Sequence, residues 1–194
     1  MIGLIDTGVS NINSLIFSLQ RLKLDFQVLD QNISSSKFSR FLIPGVGNFS
    51  FLAKNLKVEI KQLLEGTDRP VLGICLGMQI LFESSDEGDG RGLEILNSRI
   101  ERLPSKVSPH MGWNSIKIES SDPLLAGLSD GDDFYFVHSY ADLNNENQIC
   151  STQVDNIVFS SVVRKDNFYG VQFHPEKSGR TGEILLSNFG ALKL

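Results

Sequence analysis

Seven residues, Gly73-Ile74-Cys75-Leu76-Gly77-Met78-Gln79, set a thiol between two glycines at the end of an apolar run. The run Val71 to Ile74 predicts a strand, and Leu76 to about Phe82 predicts a helix. A cysteine at such a junction sits on strained backbone, and flanking glycines relieve the crowding around it. The helix start aims N–H groups and partial positive charge at the sulfur, which favours thiolate and can stabilise an oxyanion. Taken alone, Cys75 is as well read as a buried core cysteine in a glycine-punctuated turn.

Phe173-His174-Pro175-Glu176 supplies what a thiol nucleophile needs. An imidazole can act as base, and a carboxylate beside it fixes its tautomer and supports its charged form. If the predicted strand Phe168 to Phe173 stays extended, residues two apart project to one side, and Pro175 keeps the segment from becoming helical. A bare His-x-Glu is more often a polar strand end. Pro44-Gly45-Val46-Gly47 lets backbone N–H groups approach a ligand closely, as an oxyanion hole requires, though by itself it reads as an ordinary loop.

The elements that must position these groups alternate. Strands are predicted at Met1 to Ile5, Phe26 to Leu29, Phe41 to Ile43 and Val71 to Ile74. Between them, helical periodicity runs through Ile12, Leu15, Ile16, Leu19 and Leu22, capped by Ser10 or Asn11, and from Phe49 to Leu64. Such alternation argues for an α/β fold with a parallel sheet covered on both faces, and ligands bind at the carboxyl ends of its strands. Cys75 and the Pro44–Gly47 loop both fall at such ends. Further on, Ile116 to Ile118, Phe134 to Val137, Ile157 to Val163 and Phe168 to Phe173 predict added antiparallel strands. Gly182 to Phe189 predicts a closing helix, and the acidic stretch Ser84 to Gly92 a mobile surface loop.

The 194 residues, 41% of them hydrophobic, suffice for one compact domain spanning 1–194. A net charge of −5 without a Lys/Arg cluster argues against nucleic acid as partner. No apolar stretch is long enough to span a bilayer. The N-terminus starts straight into a strand-like run with no signal-peptide pattern. With only Cys75 and Cys150, a reduced, cytoplasmic setting is expected. His110, His138 and His174 are dispersed, so no metal site is expected, and no Gly-x-x-x-x-Gly-Lys nucleotide loop occurs. No cofactor is expected.

In order and spacing along the whole chain, the three motifs resemble the class I (triad) glutamine amidotransferases. Pro109-His110-Met111-Gly112-Trp113-Asn114, Phe134-Tyr135-Phe136-Val137-His138-Ser139-Tyr140 and the extension of His-Pro-Glu by Lys177-Ser178 narrow the resemblance to the glutaminase subunits of imidazole glycerol phosphate synthases. The resemblance implies a flavodoxin-like fold and hydrolysis of L-glutamine to glutamate and ammonia. It also implies a heterodimer with a separate (β/α)8 barrel cyclase, which uses the ammonia to form imidazole glycerol phosphate and AICAR in histidine biosynthesis. Cys75 would attack the carboxamide, His174 would move protons and Glu176 would orient His174. Gly45, Val46 and Gly47 would supply an oxyanion donor after a peptide rearrangement, beside Leu76. Gln79, Glu87, Ser139 and Tyr140 would hold glutamine, Glu87 suiting its α-ammonium. Asn11, Trp113, Asn114, Tyr135, His138 and Lys177 would face the partner. Thr7, Ser10 and Asn97 depart from the family pattern. They leave open a paralogue that feeds another amidation, such as that of a surface sugar. A thiol hydrolase on the same fold is the other alternative.

Overall fold

A computed structural model of the chain describes residues 1–8, 11–29, 37–106, 108–144 and 146–193. In chain order the elements are β1 (Ile2–Ile5), α1 (Ile12–Arg21), β2 (Phe26–Leu29), β3 (Arg40–Gly45), α2 (Phe49–Asn55), α3 (Val58–Glu65), β4 (Val71–Cys75), α4 (Leu76–Gln79), β5 (Phe82–Ser85) and β6 (Leu96–Arg102). There follow β7 (His110–Ser115), β8 (Lys117–Ile118), β9 (Asp133–His138), β10 (Tyr140–Ala141), β11 (Gln148–Val154), β12 (Ile157–Lys165), β13 (Phe168–Val171) and α5 (Gly179–Ala191). Ser10, offered above as a helix cap, lies outside the described residues. Asn11 precedes α1 without a side-chain capping bond.

Among the described residues the main sheet has eight strands in the order β2-β1-β3-β4-β13-β12-β11-β8. The first five run parallel. Antiparallel pairing then adds β12, β11 and β8. The parallel sheet expected from the alternation is present with antiparallel additions, but β13, expected among those additions, pairs parallel to β4, and β9 lies outside this sheet, paired with β7. Its central strands β1, β3, β4 and β13 are buried on both sides, and side-chain alternation sorts their residues into two cores. Leu4, Leu42, Leu72 and Ile74 meet Leu15 and Leu19 of α1 and Leu185 and Phe189 of α5. Ile5, Phe41, Ile43 and Val71 meet Leu52 of α2 and Ile60 and Leu64 of α3.

Several predicted elements differ. The long helix from Phe49 to Leu64 is two helices, separated where Leu56 takes an extended conformation (φ −64°, ψ 119°). The helix after Cys75 stops at Gln79 instead of Phe82. The carbonyls of Ile80, Leu81 and Phe82 are claimed by N–H groups of residues 93–96, and Gly92 lies so close to the Phe82 carbonyl that a Cβ there would sit 2.0 Å from it. Backbone pairing across the chain thus replaces the next helical turn. The acidic stretch 84–92 is no free loop either: Ser84 and Ser85 belong to β5, and the Glu87 carboxylate accepts from the Phe49 N–H at the start of α2 (2.6 Å).

Strand order and register gather the candidate groups. β4 lies between β3 and β13. Gly45 pairs beside Cys75 and Val171 beside Ile74. The glycine loop and the His-Pro-Glu turn therefore leave the sheet on either side of the thiol, at the carboxyl ends of three adjacent parallel strands.

Candidate active site

Cys75 is the last residue of β4 and stands at φ +53°, ψ −110°, a conformation L-residues rarely adopt. Glycines make this turn feasible. A Cβ on Gly77 would lie 1.7 Å from the Ile43 carbonyl oxygen, and one on Gly73 would lie 2.2 Å from that of Gly77. The start of α4 therefore rests directly on β3 and β4, with Leu76 following the sulfur into the helix. Cys75 is buried, only 7% exposed. Its sulfur lies 4.0 Å from the Val137 carbonyl and 3.7 Å from Gln172 Nε2.

The His-Pro-Glu segment corrects one expectation. Residues 175–177 form a 3-10 turn, with His174 extended just before it. Proline suits the first position of such a turn, because no N–H is needed there. His174 and Glu176 still meet: Nδ1 donates to Oε1 at 2.8 Å, with both side chains buried. Phe173 anchors the segment by stacking on Phe134 with centroids 4.0 Å apart. Ser178 closes it, donating to the His174 carbonyl (2.6 Å) and accepting from the Tyr135 N–H (3.0 Å). Burial disfavours a charged His174, but the Cys75 sulfur and the Glu176 carboxylate outweigh it and raise its pKa to about 9. His174 Nε2 is buried with no hydrogen-bond partner of ordinary geometry among the described residues. It is thus free to exchange a proton with something admitted to the site.

Such a species has a place to sit. A cavity of about 170 Å³ is lined by Val46, Gly47, Cys75, Leu76, Gln79, Glu87, Val137, Ser139, Tyr140 and His174. It suits a molecule smaller than a drug. Four groups expected to hold substrate, Gln79, Glu87, Ser139 and Tyr140, all line it. Burial raises the pKa of Glu87, offset in part by the Phe49 N–H. Gln79 has other work as well: its amide nitrogen donates to the Tyr140 carbonyl and to Gln172 Oε1, both at 3.0 Å. Gly47 holds φ +105°, which a side chain would resist. Beneath this wall, a second cavity of about 10 Å³ touches Asn11, Pro44, Gly45, Val46, His174, Glu176 and Lys177. That is room for about one water-sized molecule. Among the described residues, no three His, Cys, Asp or Glu side chains are grouped to hold a metal ion.

The family model for glutamine amidotransferase class-I matches residues 3–191. The chain belongs to that family. This amidotransferase is 39% identical over 189 residues to the imidazole glycerol phosphate synthase subunit HisH of Mannheimia succiniciproducens, covering 96% of this chain and 97% of that one. It is 37% identical to the HisH of Haemophilus influenzae, with 97% and 96% covered. A solved glutamine amidotransferase superposes with a TM-score of 0.73 at 15% identity, with 98% and 99% of the two chains covered. One from Thermotoga maritima gives 0.66 at 17%, with 98% and 82% covered. The flavodoxin-like fold class inferred from the sequence is that of these structures.

The residues expected to face a partner split into two sets. β7 and β9 form a two-stranded ribbon, and alternation sends Met111, Trp113 and Tyr135 to one side. Met111 and Trp113 are 64% and 58% exposed. Trp113 meets Tyr135 edge-on, and the Lys177 ammonium lies 5.9 Å from the Tyr135 ring centre. Asn11 is exposed too. His138 and Asn114, also expected to face the partner, project from the other side of the ribbon. His138 is 6% exposed and hydrogen-bonds His110 (3.0 Å), while Asn114 Nδ2 bonds His110 Nε2 (3.1 Å) and the Gln153 carbonyl (2.9 Å). Burial holds the His138 pKa down, to about 3, aided by the charges of His110 and His174 and opposed by the Tyr140 carbonyl.

Two buried residues at the amidotransferase site, Gln172 and Ser178, escaped the sequence reading of roles. Gln172 had a usable signal: a long amide inside the apolar run from Phe168 to Phe173 must find partners.

Proposed function

We propose that this chain is the glutaminase subunit of a two-subunit imidazole glycerol phosphate synthase; its relatives are named as subunit HisH of such a synthase. The observation that carries the reading is one cavity wall shared by Cys75 and His174, with Glu176 bonded behind the imidazole. His174, its pKa raised to about 9, stays charged at neutral pH beside the sulfur and so holds a proton to give. The Cys75 sulfur attacks the carboxamide carbon of glutamine. Its oxyanion is held by N–H groups of the 45–47 loop and of Leu76. His174 Nε2 gives its proton to the departing nitrogen, the C–N bond breaks, and ammonia leaves a γ-glutamyl thioester. His174 then takes a proton from water, whose oxygen attacks the thioester. The sulfur departs with its electron pair, and glutamate forms.

Glu87, Gln79, Ser139 and Tyr140 hold the amino acid, Glu87 at the α-ammonium. Ammonia passes to a (β/α)8 barrel cyclase seated on the face of Asn11, Trp113, Tyr135 and Lys177. The small cavity behind His174 supports that direction, since it touches both Glu176 and the Asn11–Lys177 edge. We place the protein in the cytoplasm. Both cysteines are free. Among the described residues no helix is long and apolar enough to cross a membrane.

The test is glutamate release by the purified chain alone, with the barrel subunit, and with the barrel subunit and its ligand. Turnover should rise at each addition, because coupling between two sites stops wasteful hydrolysis. Equal rates in all three conditions would refute the coupled reading.

A further inference from the structure

Gln172 has no exposed surface and does not line the reaction cavity, yet it joins the two groups most central to it. Its Oε1 accepts from Gln79 Nε2 at 3.0 Å, and its Nε2 points at the Cys75 sulfur from 3.7 Å. The polarity of this chain of bonds is forced. The Tyr140 carbonyl can only accept, so Gln79 must turn its nitrogen towards it. The second hydrogen of that nitrogen then meets Gln172, which must answer with its oxygen. The Gln172 nitrogen is left facing the sulfur. A reversed Gln172 would set two amide nitrogens head to head and an oxygen lone pair against the sulfur.

The carbonyl that starts the chain is itself fixed. His138 Nδ1 donates to it at 2.9 Å, and His138 in turn accepts from His110. Burying an amide costs free energy unless it is bonded, and a methionine would fill the same space without that cost. An N–H aimed at sulfur is the contact that methionine lacks.

Resting on the glutaminase reading above, we propose that Gln172 is a positioning residue. It donates an amide N–H to the Cys75 sulfur and so holds the attacking anion in place, its orientation set by the Tyr140 carbonyl through Gln79. A hydrogen bond to a charged acceptor is among the stronger kinds.

Alkylation of Cys75 by iodoacetamide as a function of pH reads the sulfur without using glutamine. Cys150 does not interfere: it is fully buried and its thiol is pushed up to about 12, by burial first and then by Asp122, Asp130 and Glu119. For Gln172→Met, the half-maximum of the alkylation profile should move about one pH unit higher, with a fall of up to about tenfold on its rising limb. The kcat for glutamine should fall by a similar factor while KM stays within twofold. A folded Gln172→Met enzyme whose alkylation profile and kcat both stay within twofold of wild type overturns the proposal. Should that variant not fold, Gln79→Leu decides: it frees the Gln172 amide to turn, so alkylation on the rising limb of the pH profile should drop at least threefold, and an unchanged profile overturns the proposal equally. Wild-type protein that alkylates normally but releases no glutamate even with the barrel subunit and its ligand fails the glutaminase reading alone.

Discussion

His174 and His138 are both buried, yet their ring pKa values lie at about 9 and about 3. Burial pushes both down, so burial cannot be what separates them. The difference lies in the partners. His174 has a carboxylate on one side and a sulfur on the other, and both favour its charge. His138 has a carbonyl and a second imidazole, and that imidazole, like His174 nearby, disfavours a charge on it. One ring is held charged, as the proposed proton transfer requires. The other is kept neutral as a link in a fixed chain of hydrogen bonds.

Exchanging the rings for uncharged residues should therefore separate chemistry from scaffolding. His174→Asn should lower glutamine turnover by about a thousandfold or more, in the range expected when a proton-transfer group is lost. His138→Gln should cost less than about tenfold, because a glutamine amide can still donate to the Tyr140 carbonyl. Steady-state kinetics that rank the two variants in the opposite order would undo the contrast.

The two faces of the β7–β9 ribbon give a second contrast, of intermediate size. Trp113→Ala removes an exposed aromatic and should weaken binding of the barrel subunit by about 2 kcal/mol, roughly thirtyfold in Kd. Asn114→Ala, one residue along but turned inward, should change Kd by less than about threefold while lowering the melting temperature. Titration calorimetry and thermal melts read both.

The smallest effect lies in the pH dependence of stability. A histidine in the unfolded chain titrates near 6.5. His174, raised in the folded state, adds stability that is fully present below about pH 6.5 and is lost as pH rises towards 9. His138, depressed in the folded state, adds stability that is full above about pH 6.5 and is lost as pH falls towards 3. Replacing His174 should flatten the alkaline limb of denaturant midpoints against pH, and replacing His138 the acid limb. Identical limbs in both variants would show that the two rings do not differ as described.

The half of the site built from neighbours in sequence was readable in advance. Gly73, Cys75 and Gly77 specify a turn by their own spacing, and the sheet's alternation placed that turn at a strand end. The His174–Glu176 contact was also foreseen, though through extended chain and not through the 3-10 turn that makes it. What stayed hidden depends on strand register. His110 pairs with His138 only because β7 and β9 align them, and the same register turns Asn114 towards His110 while exposing Trp113. Short-range periodicity carries no trace of that alignment. The early end of α4 is similar, since the carbonyls of Ile80 to Phe82 are taken by a segment a dozen residues on.

The contact between Gly77 and the Ile43 carbonyl has one more consequence. With no atom to spare between helix and strand, a single added methyl must lever the thiol's perch away from the sheet. Such a variant would keep every reactive group and still aim the sulfur past its target, so loss of turnover with an intact roster of functional groups is the signature to seek there.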